Sequence, residues 1–229
     1  MLQSMPEIVI PIRLGASYCY FIPSPAGGVL IDAGYVNKHL ELKSVLTAHE
    51  HDMTDIRYII LTHTHHDHVG SLAEIKKRSG AKIIVGAEEA SCLKRGRTPL
   101  PRGTGPIAKM MVQVGRVLKM GAYPPVEPDI LIEQETTLSG FAFDLQIIPT
   151  PGHTLGSLTI IINQHLALVG DTMFNIRTDT VYPPFADNEL KLLQSWETLL
   201  NTACDIFYPG HGPPFRRSVL EHSYKSVGI

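Results

Sequence analysis

Residues 62–68 read Thr-His-Thr-His-His-Asp-His and follow directly on the apolar run Tyr58–Leu61. That run reads as a buried strand, and the C-terminal end of such a strand is where open α/β sheets build their sites. His63, His65, Asp67 and His68 put four potential metal ligands within six positions. Imidazoles and carboxylates crowded together repel one another and lose their hydration. They need a compensating charge, and a divalent cation is the usual one. A solvated histidine-rich loop would not begin at so clean a strand boundary. The heptapeptide is read as part of a metal site.

Three further polar residues share this placement. His153 lies in Pro151-Gly152-His153-Thr154 after the apolar run Phe141–Ile148, and Asp171 lies in Gly170-Asp171-Thr172 after Leu166–Val169. His211 lies in Pro209-Gly210-His211-Gly212 after Ile206–Tyr208. Glycine beside such a residue lets the backbone turn sharply and approach a ligand closely. Together with the first cluster they make five imidazoles and two carboxylates, enough for two cations. Zinc, iron and manganese all suit these donors. A structural zinc site is closed by four ligands and often rich in thiolate. Seven nitrogen and oxygen ligands on separate loops leave positions open for water and substrate, which argues for catalysis.

The rest of the chain frames this constellation. Strand character is read at Ile8–Leu14, Tyr18–Ile22, Val29–Ile31, Lys82–Val85, Ile130–Ile132 and Ser157–Ile162. Helices are read at Val36–His49, Ser71–Arg78, Glu88–Leu93 and Asn188–Asn201, with a last one after Pro214. Leu40, Val45 and Leu46 are candidates for the buried side of the first, and Leu190, Leu193, Trp196, Leu199 and Leu200 for that of the fourth. Residues 95–129 break the rhythm with a Pro- and Gly-rich loop and the amphipathic stretch Ile107–Met120. The apolar residues of that stretch recur at three- and four-residue intervals, as in a core-packed helix or a Met-rich lid over a cleft. One domain spanning 1–229, a β-rich sandwich with outer helices and a lid insertion at about 95–129, fits this order.

Bulk properties narrow the partners. A net charge of −2 gives no electrostatic reason to expect nucleic acid. The run Lys94-Arg95-Gly96-Arg97, followed by Arg102, is a local exception: a solvated loop or a recogniser of an anionic group. Cys19, Cys92 and Cys204 are odd in number and widely separated, so no disulfide framework is implied. The N-terminus lacks the basic start of a secretory signal, and no apolar stretch approaches a membrane span. A cytoplasmic protein with a small-molecule substrate is expected, without nucleic-acid or membrane partners; a homodimer is compatible with the sequence.

The pattern His63-x-His65-x-Asp67-His68, then His153, Asp171 and His211, resembles the metallo-β-lactamase superfamily from Ile31-Asp32-Ala33-Gly34 to His211. The resemblance implies an α+β fold, a four-layer αβ/βα sandwich of two mixed sheets flanked by helices. It assigns His63, His65 and His153 to one metal, Asp67, His68 and His211 to a second, and Asp171 to a bridge. Asp32 matches a position whose carboxylate orients a ligand imidazole; His66 has no ligand role. Two divalent ions, zinc foremost with iron or manganese as alternatives, would then generate a bridging hydroxide for hydrolysis. Asp67 and Asp171 would position this nucleophile, and no Gly-x-Ser-x-Gly elbow offers another.

Among branches, Pro151–Ser157 and Gly170–Phe174 are similar to the glyoxalase II-like enzymes. Only 18 residues follow His211, however, too few for the helical domain that binds glutathione there. Phe174 stands where acyl-homoserine lactonases often carry tyrosine, and Tyr182 or Tyr208 are candidate substitutes. The expectation is a dinuclear hydrolase of a small ester, thioester or lactone. A mononuclear iron persulfide dioxygenase is the redox alternative, and a phosphodiesterase a further one.

Overall fold

Three apolar layers, filled from alternate strand positions, organise the computed structural model, which describes residues 9–227. One sheet contains β1 (Ile10–Leu14), β2 (Ser17–Ile22), β3 (Gly28–Ile31), β4 (Ile56–Ile60), β5 (Lys82–Gly86) and β6 (Ile130–Ile132), in that spatial order. Its first three strands pair antiparallel and the rest parallel. The other sheet contains β7 (Thr136–Leu138), β8 (Leu145–Pro149), β9 (Leu158–Ile162), β10 (Leu166–Phe174), β11 (Ile206–His211) and β12 (Phe215–Arg216), again in sequence order. All its pairs are antiparallel except β10 with β11.

Successive strand residues point to opposite faces, which fills the layers from both sides. On β3, Val29 and Ile31 join Ile60 of β4 and Ile160 of β9 between the two sheets. Leu30 points the other way, against α1 (His39–Ala48) and α3 (Leu72–Ser79), where it meets Leu42, Leu46, Leu72 and Ile75. Ile161 and Ala167 of the second sheet likewise face α6 (Glu189–Leu200) and α7 (Arg217–Ser226), packing with Trp196, Leu199 and Leu220. Every residue of β3, β9 and β10 is buried, as continuous apolar strands covered on both faces require. The result is the four-layer αβ/βα sandwich expected, with two mixed sheets. Among the described residues no helix is long and apolar enough to cross a membrane.

Several boundaries differ from the sequence reading for identifiable reasons. Ile8 lies outside the described residues. Helix α1 starts at His39 because Asn37 takes a left-handed φ of 64°. Leu40 is then 58% exposed, and Leu42 takes the buried place assigned to it. In α6 the buried side is Leu192, Trp196 and Leu199, while Leu190 is 64% exposed. Phe141–Asp144 is the turn between β7 and β8 rather than strand. Strands β10 and β11 continue past the glycines that read as their ends. Register irregularities around Gly170 let the pairing resume as far as Phe174 opposite His211. Asp171 therefore lies inside a strand, and His211 is the last residue of one.

Trp196 ties α6 to this strand. It is fully buried, and its Nε1–H donates to the Thr172 carbonyl at 2.8 Å, one residue beyond Asp171. Trp196→Phe leaves that buried acceptor without its donor, which costs about 2 kcal/mol. A calorimetric scan should show Tm lowered by roughly 4–8 °C. An unchanged Tm would show the bond to be dispensable.

Candidate metal centre

The C-terminal ends of β3 and β4 meet the loop after β8 and the far parts of β10 and β11. Thr62 leaves β4 and is held by Asp32, which follows β3. The Asp32 carboxylate accepts from the Thr62 amide at 2.8 Å and from its hydroxyl at 2.7 Å. It also accepts from His68 Nδ1 at 2.8 Å. Asp32 adopts a left-handed φ of 62°, a conformation that costs a non-glycine residue about 1–2 kcal/mol. Those three bonds and the amide bond from Asp32 to Ile60 offset the cost. The short helix α2 (His66–Val69) then carries Asp67 and His68, with His65 at its N-cap.

Each remaining histidine is oriented by a backbone carbonyl or a neighbour. His153 Nδ1 donates to the Phe185 carbonyl at 2.9 Å and His211 Nδ1 to the Ala16 carbonyl at 3.1 Å. His63 Nδ1 lies 3.1 Å from the Thr62 hydroxyl. The free nitrogens point inward. His65 Nδ1 lies 2.9 Å from His153 Nε2, so two imidazoles aim at one point. Asp171 stands between two groups. Its Oδ2 lies 3.9 Å from His63 Nε2 and 3.5 Å from His153 Nε2. Its Oδ1 lies 3.2 Å from His68 Nε2 and 3.5 Å from His211 Nε2. Asp67 Oδ2 adds a contact of 3.3 Å to His211 Nε2.

All seven residues anticipated as ligands are thus brought together. His63, His65, His153 and Asp171 form one group and Asp67, His68 and His211 another; within each, the ligand atoms lie within 4.8 Å of one another. His66 belongs to neither and packs edge-on against Tyr35. His39, His49, His51, His165 and His222 also lie outside both groups. His63 Nε2, His68 Nε2 and Asp171 Oδ1 are buried without a hydrogen-bond partner. Orphaned buried donors and acceptors are costly, and a bound cation satisfies them, so the residues fit a metal.

Charge explains the protonation pattern. Burial pushes His63 well down and His65 to about 3, with neighbouring imidazoles adding to the effect. Burial also opposes charge on Asp171, yet His211 and His68 outweigh it and hold the carboxyl well below its usual range. Burial opposes protonation of His211 too, but Asp171 and Asp67 push it up to about 10. His68 is raised as well, through Asp171 and Asp32 against burial. Protons on His68 and His211 thus stand where a second cation would sit.

Close backbone approach permits this packing. A Cβ on Gly170, whose φ is +50°, would lie 2.4 Å from the Thr62 hydroxyl oxygen. One on Gly210 would lie 2.4 Å from Asp171 Oδ1 and 2.7 Å from His68 Cε1.

Two contributors escaped the sequence reading. Glu89 is buried and accepts from both the amide and the hydroxyl of Thr64, the residue between His63 and His65. Its other oxygen accepts from the Gly156 amide at 3.4 Å, tying the His153 loop to the first cluster. Tyr35 lines the cavity over the metal groups, and burial, with Asp67 and Asp171, pushes its hydroxyl up to about 12. Tyr182 instead bonds Glu189, and Tyr208 packs on Tyr20; neither lines the cavity. That cavity of about 430 Å³ is walled by Leu100, Met111, Met120, Phe174, Ile176 and Phe185, besides the polar groups beneath.

A sandwich of this kind, with imidazoles and carboxylates gathered at the strand ends, defines a class of metal-dependent hydrolases. The chain belongs to the metallo-beta-lactamase superfamily, whose family model matches residues 12–211. It is 29% identical to a probable metallo-hydrolase of Streptococcus pyogenes, over 85% of this chain and 78% of that one. A hydroxyacylglutathione hydrolase of Bradyrhizobium is 26% identical over 78% of this chain, a match spanning 58% of that enzyme. Among solved structures, a metallo-beta-lactamase from Cronobacter sakazakii superposes with a TM-score of 0.71 at 22% identity, covering 92% of this chain and 80% of that one. The last likeness concerns the fold alone.

Two outcomes follow from the geometry. A cation entering beside His68 and His211 must displace their protons, so affinity should rise with pH from neutrality toward about 10. Calorimetric titration in buffers of different ionisation enthalpy should read about two protons released per chain; no release would disprove the protonated pair. Gly210→Ala should weaken the second metal equivalent by about ten-fold or more while the first is retained. Competition with a chromophoric chelator measures both.

Proposed function

We propose that the protein is a dinuclear hydrolase, zinc-dependent and cytoplasmic, acting on a small ester, thioester or lactone with an apolar acyl part. The observation that carries the dinuclear reading is Asp171, whose two oxygens face different histidine groups. The second group of Asp67, His68 and His211 is complete, as a second metal requires. Two bound cations supply Lewis acidity and bring a water molecule's pKa near neutrality. His63, His65 and His153 would hold one cation, Asp67, His68 and His211 the other, and Asp171 both.

The chain's own groups do the rest. Asp32 fixes His68 with Nε2 inward, and Glu89 fixes the loop between His63 and His65. Asp67 is held ionised by His68 and His211 against its burial, so it can accept a hydrogen bond and orient a water molecule. The apolar walls exclude water and receive the acyl group, while Tyr35, neutral well above physiological pH, can donate to a substrate oxygen. Residues 95–129 act as the substrate-facing lid: Leu100, Met111 and Met120 come from this segment. It is fastened by the bonds Thr104 amide to Pro184 carbonyl and Ala186 amide to Arg102 carbonyl. Likeness to a hydroxyacylglutathione hydrolase supports a thioester within this class.

The test is zinc-loaded protein against thioesters, lactones and phosphodiesters, alongside whole-metal analysis. Two zinc per chain, with acyl substrates turned over faster than phosphodiesters, is the expected result. One iron with oxygen uptake would sink the hydrolytic reading, and dominant phosphodiester cleavage would sink the substrate class. Asp171→Ala should bind one metal at most and lower kcat/KM by about a thousand-fold, with the fold retained by circular dichroism.

A further inference from the structure

Helix α5 (Pro106–Val117) turns its apolar stripe outward. Ala108, Val112 and Gly115 face the protein, whereas Ile107, Met110, Met111, Val114, Val117 and Leu118 are exposed, Val117 at 81%. With Met120 they make up seven of the 14 exposed large hydrophobic residues among those described, so this is a concentrated patch rather than ordinary scatter. The core-packed reading of this helix is thereby excluded.

The charge within the segment itself has one sign. Between Ala90 and Val126 lie Lys94, Arg95, Arg97, Arg102, Lys109, Arg116 and Lys119, and no aspartate or glutamate, in a chain of net charge −2. Lys94 pairs with Glu127; among the described residues the other six make no ion pair that would neutralise them. Lys109, Gln113 and Arg116 line a polar groove on one flank of α5, where Asp187 and Glu189 stand opposite. On the other flank, Met111 turns into the cavity above the metal groups.

We propose that α5 and its flanking cations dock on an anionic phospholipid surface, the helix lying in the interface with its apolar stripe among the acyl chains. An exposed apolar stripe in a segment whose only charged residues are Lys and Arg has the form of an interfacial helix, and the cytoplasmic leaflet supplies the opposite charge. A second copy of the chain fits less well, because a two-fold interface would set this cation-only segment against itself. The expectation of no membrane partner considered spanning segments alone, and α5 lies on the surface without spanning. Docking would turn the mouth of the cavity, through Met111 and Met120, toward the lipid.

The proposal is independent of the metal chemistry and is tested by binding. Purified, metal-loaded protein is sedimented with phosphatidylcholine vesicles, with and without phosphatidylserine. Binding should require phosphatidylserine and weaken with added salt. Arg116→Glu or Lys119→Glu should each lower partitioning by ~5-fold or more. Val114→Glu with Val117→Glu, both at exposed positions, should abolish it while Tm and metal content stay unchanged. Equal partitioning of the wild type and these variants, or no sedimentation of the wild type, would overturn the proposal. So would a stable dimer in light scattering that the Val114→Glu, Val117→Glu variant dissociates.

Discussion

Two carboxylates and five imidazoles share one buried site, and their charge must be balanced. Among the described residues no Lys or Arg lines the cavity over it: the balance comes from protons on His68 and His211, or from metal in their place. This constraint explains why Nε2 of His63, His65 and His68 has no hydrogen-bond partner, and why the histidines are anchored through their other nitrogens or by their neighbours. It also explains the surroundings. Asp32 accepts a strained backbone in order to hold His68, and glycine at 170 and 210 lets β10 and β11 close over the cluster.

The scaffold transmits this order over some distance. The carbonyl that orients His153 belongs to Phe185, which forms an isolated bridge with Gly103 at the root of the segment carrying α5. Glu89 joins the Thr64 loop to Gly156, so strands from both sheets are fixed to a common carboxylate. The site is thus held by few but buried polar bonds, which count for more inside a protein than at its surface.

Much of this was legible in the sequence because it follows from periodicity and from where polarity interrupts it. Isoleucine-rich runs ending in histidine or aspartate marked strand ends, and the order of those ends matched one superfamily. Other features leave no such mark. Backbone acceptors such as the carbonyls of Ala16 and Phe185 have no residue signature. Glu89 looks like any acid at a helix start, and Tyr35 like any residue after a turn. Gly170 and Pro209 read as strand ends because neither is a strand former, yet a bulge carries both strands past them. The stripe on α5 has the same spacing whether it faces core or solvent, so only the fold could decide.

The seven candidate ligands are divided between the halves of the chain. His63, His65, Asp67 and His68 come from the first sheet's side, and His153, Asp171 and His211 from the second. Neither half holds a complete group: each of the two draws on both. Either group is therefore complete only once the sheets have met along their shared apolar layer. A nascent or half-folded chain offers scavenging ions no finished cage.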